Sequence, residues 1–172
     1  VLSLVANELS TGMLWEEVRL KGGAYGVSAG YQPRGGQFVL NSAEDPYIVR
    51  TLDVFRRIPE ALESKIAAYT SETFEKLIIG AAKGIDTPSR GRDAAGRALE
   101  YHLRGVTRDM RQEFLERLLH VTPRQVRETS ERWLVQQLPK ASVAVFGDRS
   151  TLQQANQALA DDKRLQMFEW GQ

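Results

Sequence analysis

The chain has 172 residues, 42% of them hydrophobic, enough to bury one core in one domain. Its 23 basic residues face 22 acidic ones for a net charge of +1, so no strong field is available to draw nucleic acid or an anionic membrane, and neither is expected as a partner. Cysteine is absent, which excludes disulfides, thiolate metal sites and cysteine nucleophiles but leaves the compartment open, with a reducing cytoplasm mildly favoured.

The start, Val1 to Leu9, has no initiator Met and no basic region and acquires Glu8 early. It reads as an amphipathic helix and not a signal peptide, and the chain as cut from a longer polypeptide. No uncharged apolar run is long enough to span a bilayer. Leu2, Val5, Ala6, Leu9 and Met13 recur at helical spacing, and the pattern runs on through Leu14, Trp15 and Val18 to Gly22-Gly23, predicting one long first helix. Next, Tyr25, Val27, Ala29 and Tyr31 alternate with Ala24, Gly26, Ser28 and Gly30, a strand with one face of small residues on which something is expected to pack closely. Pro33-Arg34-Gly35-Gly36 is turn chemistry, and Gln37 to Asn41 follows as the second arm of a hairpin.

From Pro46 to Leu138 the pattern is helical, punctuated at Pro59, Thr70-Ser71, Pro88, Gly105 and Thr122-Pro123-Arg124-Gln125, the last a capping box with proline at the first helical position. Phe74, Leu77, Ile78, Ala81, Ala82 and Ile85 mark one buried stripe; Met110, Phe114 and Leu118 mark a second; Val126, Trp133 and Leu134 mark a third. Ala141 to Phe146 reads as a short buried strand, then a small helix carries Leu152, Ala155 and Leu159, and Leu165 to Phe168 reads as a last strand. There is no internal repeat or low-complexity tract. Residues 1–172 are therefore expected to form a single α+β domain, a mainly antiparallel sheet covered by helices, whose first strands lie upstream of this chain.

The stretch richest in chemistry is Leu14-Trp-Glu-Glu-Val-Arg19-Leu-Lys21-Gly22-Gly23-Ala24-Tyr25-Gly26. Arg19 falls in the last helical turn, where the macrodipole favours a cation, and the glycines then permit a sharp corner with Tyr25 beyond it. A guanidinium and a phenol presented there can donate hydrogen bonds to a peptide carbonyl or to the oxyanion formed when that carbonyl is attacked. On these grounds alone the plainer account, a helix stop stabilised by a cation, stands ahead. Phosphate cradling is weaker still, because the glycines precede a strand and fit no nucleotide-binding spacing.

Other candidates have plain explanations. Glu116 and His120 share a helical face, but two ligands rarely hold a metal, and an ion pair or a helix cap accounts for them. His102 has no ligand pattern around it. Arg90, Arg92, Arg97, Arg104, Arg108 and Arg111 form a basic stretch, yet Asp93, Glu100 and Asp109 interleave with it as on a solvated helix face. Glu16 and Glu17 beside Arg19 read as local charge support for the corner and not as an acid and base couple.

The sequence L-W-E-E-V-R-L-K-G-G-A-Y-G resembles the signature in the C-terminal half of the insulinase or pitrilysin-type zinc metallopeptidases, in the branch containing the mitochondrial presequence protease. Asn41-Ser-Ala-Glu-Asp-Pro46 with Thr51-Leu-Asp resembles the family's S-x-x-D-P element. Leu77 to Gly80, Ile85-Asp86, Gly105 to Gln112 and Leu119 to Thr122 are similar to its helical region, and Val145-Phe-Gly147-Asp to its closing strand. The resemblance implies a domain of the mitochondrial processing peptidase-like metallohydrolase fold that closes over a peptide substrate. It implies Arg19 and Tyr25 as the active-site residues, with substrate contacts at Gly22, Gly23, Ala24 and Ser42. Zinc, in such a protein, is bound by the N-terminal half through H-x-x-E-H and a distal Glu, and that half is the second expected partner. This chain contains no H-x-x-E-H, and it carries Ala43 and Glu44 where the S-x-x-D-P element would have bulky residues. The isolated domain is then expected to be inactive and to associate through its sheet edges. The alternative is a non-catalytic scaffold of the same superfamily that binds a peptide strand by edge pairing.

Overall fold

Leu4, Val5, Leu9, Leu14 and Val18 are each at most 2% exposed, so the N-terminal helical stretch is the strut around which the remaining elements pack. The structure, a computed structural model, describes residues 1–33, 35–85 and 91–168. Arg34 of the expected turn, Asp86, Pro88 and Arg90 lie outside the described residues, as does the side chain of Ile85.

The element order is α1 (Leu2–Thr11), a π-helical segment (Trp15–Leu20), β1 (Gly26–Gln32), β2 (Gln37–Ala43), α2 (Ile48–Arg56), α3 (Ile58–Ala67), α4 (Ser71–Ile85), α5 (Gly91–Leu103), α6 (Arg108–Leu119), α7 (Pro123–Ser130), a second π-helical segment (Glu131–Val135) and α8 (Arg149–Ala158), with short 3₁₀ turns at Leu138–Lys140 and Asp161–Lys163. The architecture is α+β: helices packed on a two-stranded antiparallel sheet. α1 touches β1, α4 and α7; α3 touches α7 and the second π segment; α2 reaches the first π segment and α8. No helix among the described residues is long and apolar enough to cross a membrane.

The expected long first helix is interrupted. Gly12 leaves helical geometry at φ −107° and ψ −106°, and from Trp15 the turn widens. Each π turn holds one residue more than an α turn. Of the expected stripe, Leu14 and Val18 are completely buried and Met13 is half-buried against the core, while Trp15 is left 43% exposed. The third stripe is corrected at one position. Leu134 enters the core in line with Val126 and Ser130, while Trp133 stays outside beneath the Arg132 guanidinium, 4.8 Å from its ring.

The hairpin has the expected alternation, with Gln32 opposite Gln37 and a loop containing Gly36 at φ +63°. Val27, Ala29, Tyr31, Phe38, Leu40 and Ser42 face the helices, half-buried. The small face does not receive a close neighbour along its length: Ala24 is buried and Gly26 half-buried, but Ser28 and Gly30 are open to solvent. Ser10 ties α1 to β1, its Oγ accepting from the Ala29 N–H at 2.8 Å and lying 3.1 Å from the Ala29 carbonyl.

Two expected strands do not form. Ala141 to Phe146 and Leu165 to Phe168 are irregular and mostly exposed, because strand-forming residues need a ladder partner and none lies beside them among the described residues. Phe74, Leu77 and Ile78 are buried as expected, whereas on α6 only Leu118 is, with Met110 54% and Phe114 38% exposed. α6 contacts α4, and Leu118 near its C-terminal end is buried while its first turns are exposed.

The capping box at Thr122 forms in both directions, with Gln125 N–H on Thr122 Oγ1 at 3.3 Å and Thr122 N–H on Gln125 Oε1 at 2.9 Å. Replacing Thr122 by Ala should lower stability by about 1 kcal/mol. Leu14→Ala, which opens a cavity at the α1 strut, should cost about 2–5 kcal/mol. Urea unfolding of the two variants checks both the values and their order.

Candidate functional site

The corner between the first π segment and β1 is built from backbone hydrogen bonds before any side chain is considered. Lys21 N–H donates to the Glu16 carbonyl at 3.0 Å, five residues back. Gly23 N–H donates to Arg19 O at 2.9 Å and Ala24 N–H to Val18 O at 3.1 Å. This is a Schellman-like wrap made one residue wider by the π turn, and it satisfies carbonyls that a helix end would leave open. Gly23 takes φ +77°, a left-handed conformation. Gly22 is required for a different reason: a Cβ there would collide with the Val18 carbonyl oxygen and stand 2.9 Å from that of Glu17.

The element after β2 backs the corner. Tyr25 N–H donates to the Glu44 carbonyl at 3.3 Å, and Glu44 adopts φ +47°. Asp45 Oδ1 accepts from Tyr47 N–H at 3.0 Å, while its buried Oδ2 has no hydrogen-bond partner among the described residues. Pro46 lies 3.7 Å from where a Gly23 Cβ would stand. From α2, Arg50 Nη1 donates to the Lys21 carbonyl at 2.7 Å.

On this frame Arg19 and Tyr25 come together at the surface. The Arg19 Nη1 donates to the Tyr25 carbonyl oxygen, and its guanidinium carbon lies 5.6 Å from the centre of the Tyr25 ring. The other neighbour is Trp15, whose ring centre is 4.6 Å from the same carbon. Tyr25 is 67% exposed, so the phenol faces solvent, and Arg19 has further N–H groups beyond the one on the Tyr25 carbonyl. Both main-chain polar groups of Tyr25 are engaged, which anchors the residue without using its hydroxyl.

Glu16 and Glu17 do not pair with Arg19. Both carboxylates hold Lys21, at 2.8 Å and 2.7 Å. The hydrogen bond from Lys21 holds the Glu17 carboxyl below its ordinary pKa, and the hydrogen bonds to Glu16 and then Glu17 raise that of Lys21. The depressed Glu17 value means that this support is present above the unfolded carboxylate range and is lost as pH falls through the lowered value.

Of the four positions expected to contact substrate, Gly23 is exposed, Ser42 half-buried opposite Val27, and Gly22 and Ala24 are buried. Neither of two surface concavities includes Arg19 or Tyr25: one of about 530 Å³ lies between α5 and α6, the other, about 300 Å³, between α1, β1 and α4. The corner is an open surface with one wall. The sequence reading placed Trp15 in an apolar pattern and in the family signature without giving it a role, although an aromatic four residues before an arginine is itself a pairing signal. It missed Arg50 and the Glu44 carbonyl altogether, because contacts across 29 and 19 residues leave no local trace.

The remaining candidates resolve into structure. The His120 ring Nδ1 donates to the Glu116 carbonyl at 2.8 Å, a C-terminal cap of α6. Arg104 pairs with Glu100 at 2.8 Å, and the Arg111 guanidinium lies 4.8 Å from the centre of the Tyr101 ring. Among the described residues no group of three His, Asp or Glu side chains is placed to hold a metal ion, so the donor set here does not fit zinc.

Comparison with known proteins gives a match to the family model described as the PreP C-terminal domain over residues 2–143. The chain is 33% identical over 148 residues to the mitochondrial presequence protease of Aspergillus oryzae, covering 86% of this chain and 14% of that protein. It is 34% identical over 152 residues to the mitochondrial presequence protease of Gibberella zeae, again covering 86% of this chain and 14% of the relative. With presequence protease 1, chloroplastic/mitochondrial, of Arabidopsis thaliana it shares 33% identity over 117 residues, 67% of this chain and 11% of that protein. The chain thus spans about one seventh of the length of these fungal relatives.

Gly22→Ala should destabilise the protein by about 1–3 kcal/mol, since the backbone must shift to admit a methyl group. Gly23→Ala, where only the left-handed angle is penalised, should cost about 1–2 kcal/mol, with Gly23→Asn milder. Thermal unfolding of the three variants measures the series.

Proposed function

The chain belongs to the PreP C-terminal domain family, and on that premise we propose that it is the substrate-gripping, non-metal-binding part of a zinc metalloendopeptidase that degrades unstructured peptides in a closed chamber. The observation that carries the reading is the pairing of the Arg19 guanidinium with the exposed Tyr25 phenol on one rigid corner. Two kinds of donor presented together, on a turn whose own hydrogen bonds are satisfied, suit a carbonyl oxygen that becomes an oxyanion. Tyr25 Oη would donate to the scissile carbonyl or its tetrahedral successor. The N–H groups of Arg19 not directed at the Tyr25 carbonyl would hold the same oxygen or orient the peptide beside it.

The open form of the corner supports the rest. Donors are worth most where water is excluded, and one exposed wall cannot exclude it. The opposing wall and the zinc ion would come from outside this chain, from a zinc-binding half of the same polypeptide, and closure of the two would form the chamber. The isolated domain would then be inactive.

In the full-length protein, Tyr25→Phe and Arg19→Ala should each lower peptide turnover, by on the order of 10²–10³-fold for loss of one oxyanion donor, with zinc content unchanged. Steady-state cleavage of an unstructured peptide, read beside metal analysis, makes the test. Full activity in both variants would remove the proposed role of the corner.

A further inference from the structure

We propose that Trp15 is a positioning residue of this site: its indole holds the Arg19 guanidinium in the orientation that the substrate carbonyl requires. The inference rests on the reading of Arg19 as a substrate-contacting group. Arginine carries a long side chain with much rotamer freedom, and on an exposed surface that freedom opposes any fixed placement. Three contacts remove it here. The guanidinium carbon is 4.6 Å from the Trp15 ring centre and 5.6 Å from that of Tyr25, and Nη1 is anchored on the Tyr25 carbonyl. A planar cation between two aromatic faces, with one edge hydrogen-bonded, retains little freedom to rotate.

Burial in the core does not by itself account for the placement of Trp15. A tryptophan 43% exposed leaves apolar area in water, while the neighbouring Leu14 and Val18 already fill the core. Glu16 and Glu17 do not compete for the guanidinium, since Lys21 occupies both. The indole therefore holds a cation whose charge stays available to a ligand, because an aromatic face fixes a guanidinium without neutralising it. A carboxylate at position 15 would pair with Arg19 and cancel that charge.

The experiment is a double-mutant cycle in the full-length protein: Trp15→Leu, Trp15→Phe, Arg19→Ala and Trp15→Leu with Arg19→Ala, each assayed for peptide kcat and KM and for thermal midpoint. Trp15→Leu should lower kcat/KM about 3- to 10-fold, the size of one exposed cation–aromatic contact with some loss of orientation. Trp15→Phe, which keeps a face for the cation, should recover most of this. In the Arg19→Ala background Trp15→Leu should add almost nothing, since residues acting through one another are not additive. An equal loss in both backgrounds, or no loss in Trp15→Leu while Arg19→Ala is impaired, overturns the positioning role and leaves the corner's proposed role intact. Full activity of Arg19→Ala overturns the positioning role together with the part of Arg19 in the corner.

Discussion

The widened helical turn from Trp15 to Leu20, closed by Gly22 and Gly23, is the constraint on which the rest of the structure depends. Along this stretch Leu14 and Val18, four apart, seal the core, and Trp15 and Arg19, the next pair four apart, lie toward the outside. The closure is then possible only because Gly22 leaves room for the Val18 carbonyl and Gly23 can take a left-handed backbone. The packing of the strut and the pairing of Trp15 with Arg19 are thus set by one helical segment and its glycine closure.

Rigidity at the corner comes from elements distant in the chain. Arg50 of α2 takes the Lys21 carbonyl, the Glu44 carbonyl takes the Tyr25 N–H, and Lys21 gathers the two adjacent glutamates away from Arg19. Ser10 fixes β1 against α1, so the strand leaving the corner is aligned with the helix entering it. Arg19 and Tyr25 are therefore supported by a frame whose own polar groups are largely paired. The exception is Asp45 Oδ2, buried behind the corner.

A guanidinium over an aromatic ring recurs at Arg19 with Trp15, at Arg111 with Tyr101 and at Arg132 with Trp133. At Trp133 the contact shields a ring that the second π segment keeps out of the core. Only at Arg19 do a second ring and a carbonyl complete the enclosure. That difference separates a singly stacked surface cation from one with three contacts.

The sequence by itself determined the α+β class, the hairpin and its alternation, the capping box at Thr122, the glycine corner and the nearness of Arg19 to Tyr25, because each is written in local spacing: period, turn chemistry or residues a few positions apart. Tertiary structure alone decided the rest. Helical periodicity cannot tell which of two adjacent apolar residues enters the core, so it misplaced Trp15 and Trp133, and strand propensity at Ala141 to Phe146 cannot supply the ladder partner that a strand requires. The spacing of Trp15 and Arg19 allowed their contact, but only the folded structure shows the guanidinium 4.6 Å from the indole ring centre. Local rules describe one backbone segment at a time, and these outcomes were set by the packing of one segment against another.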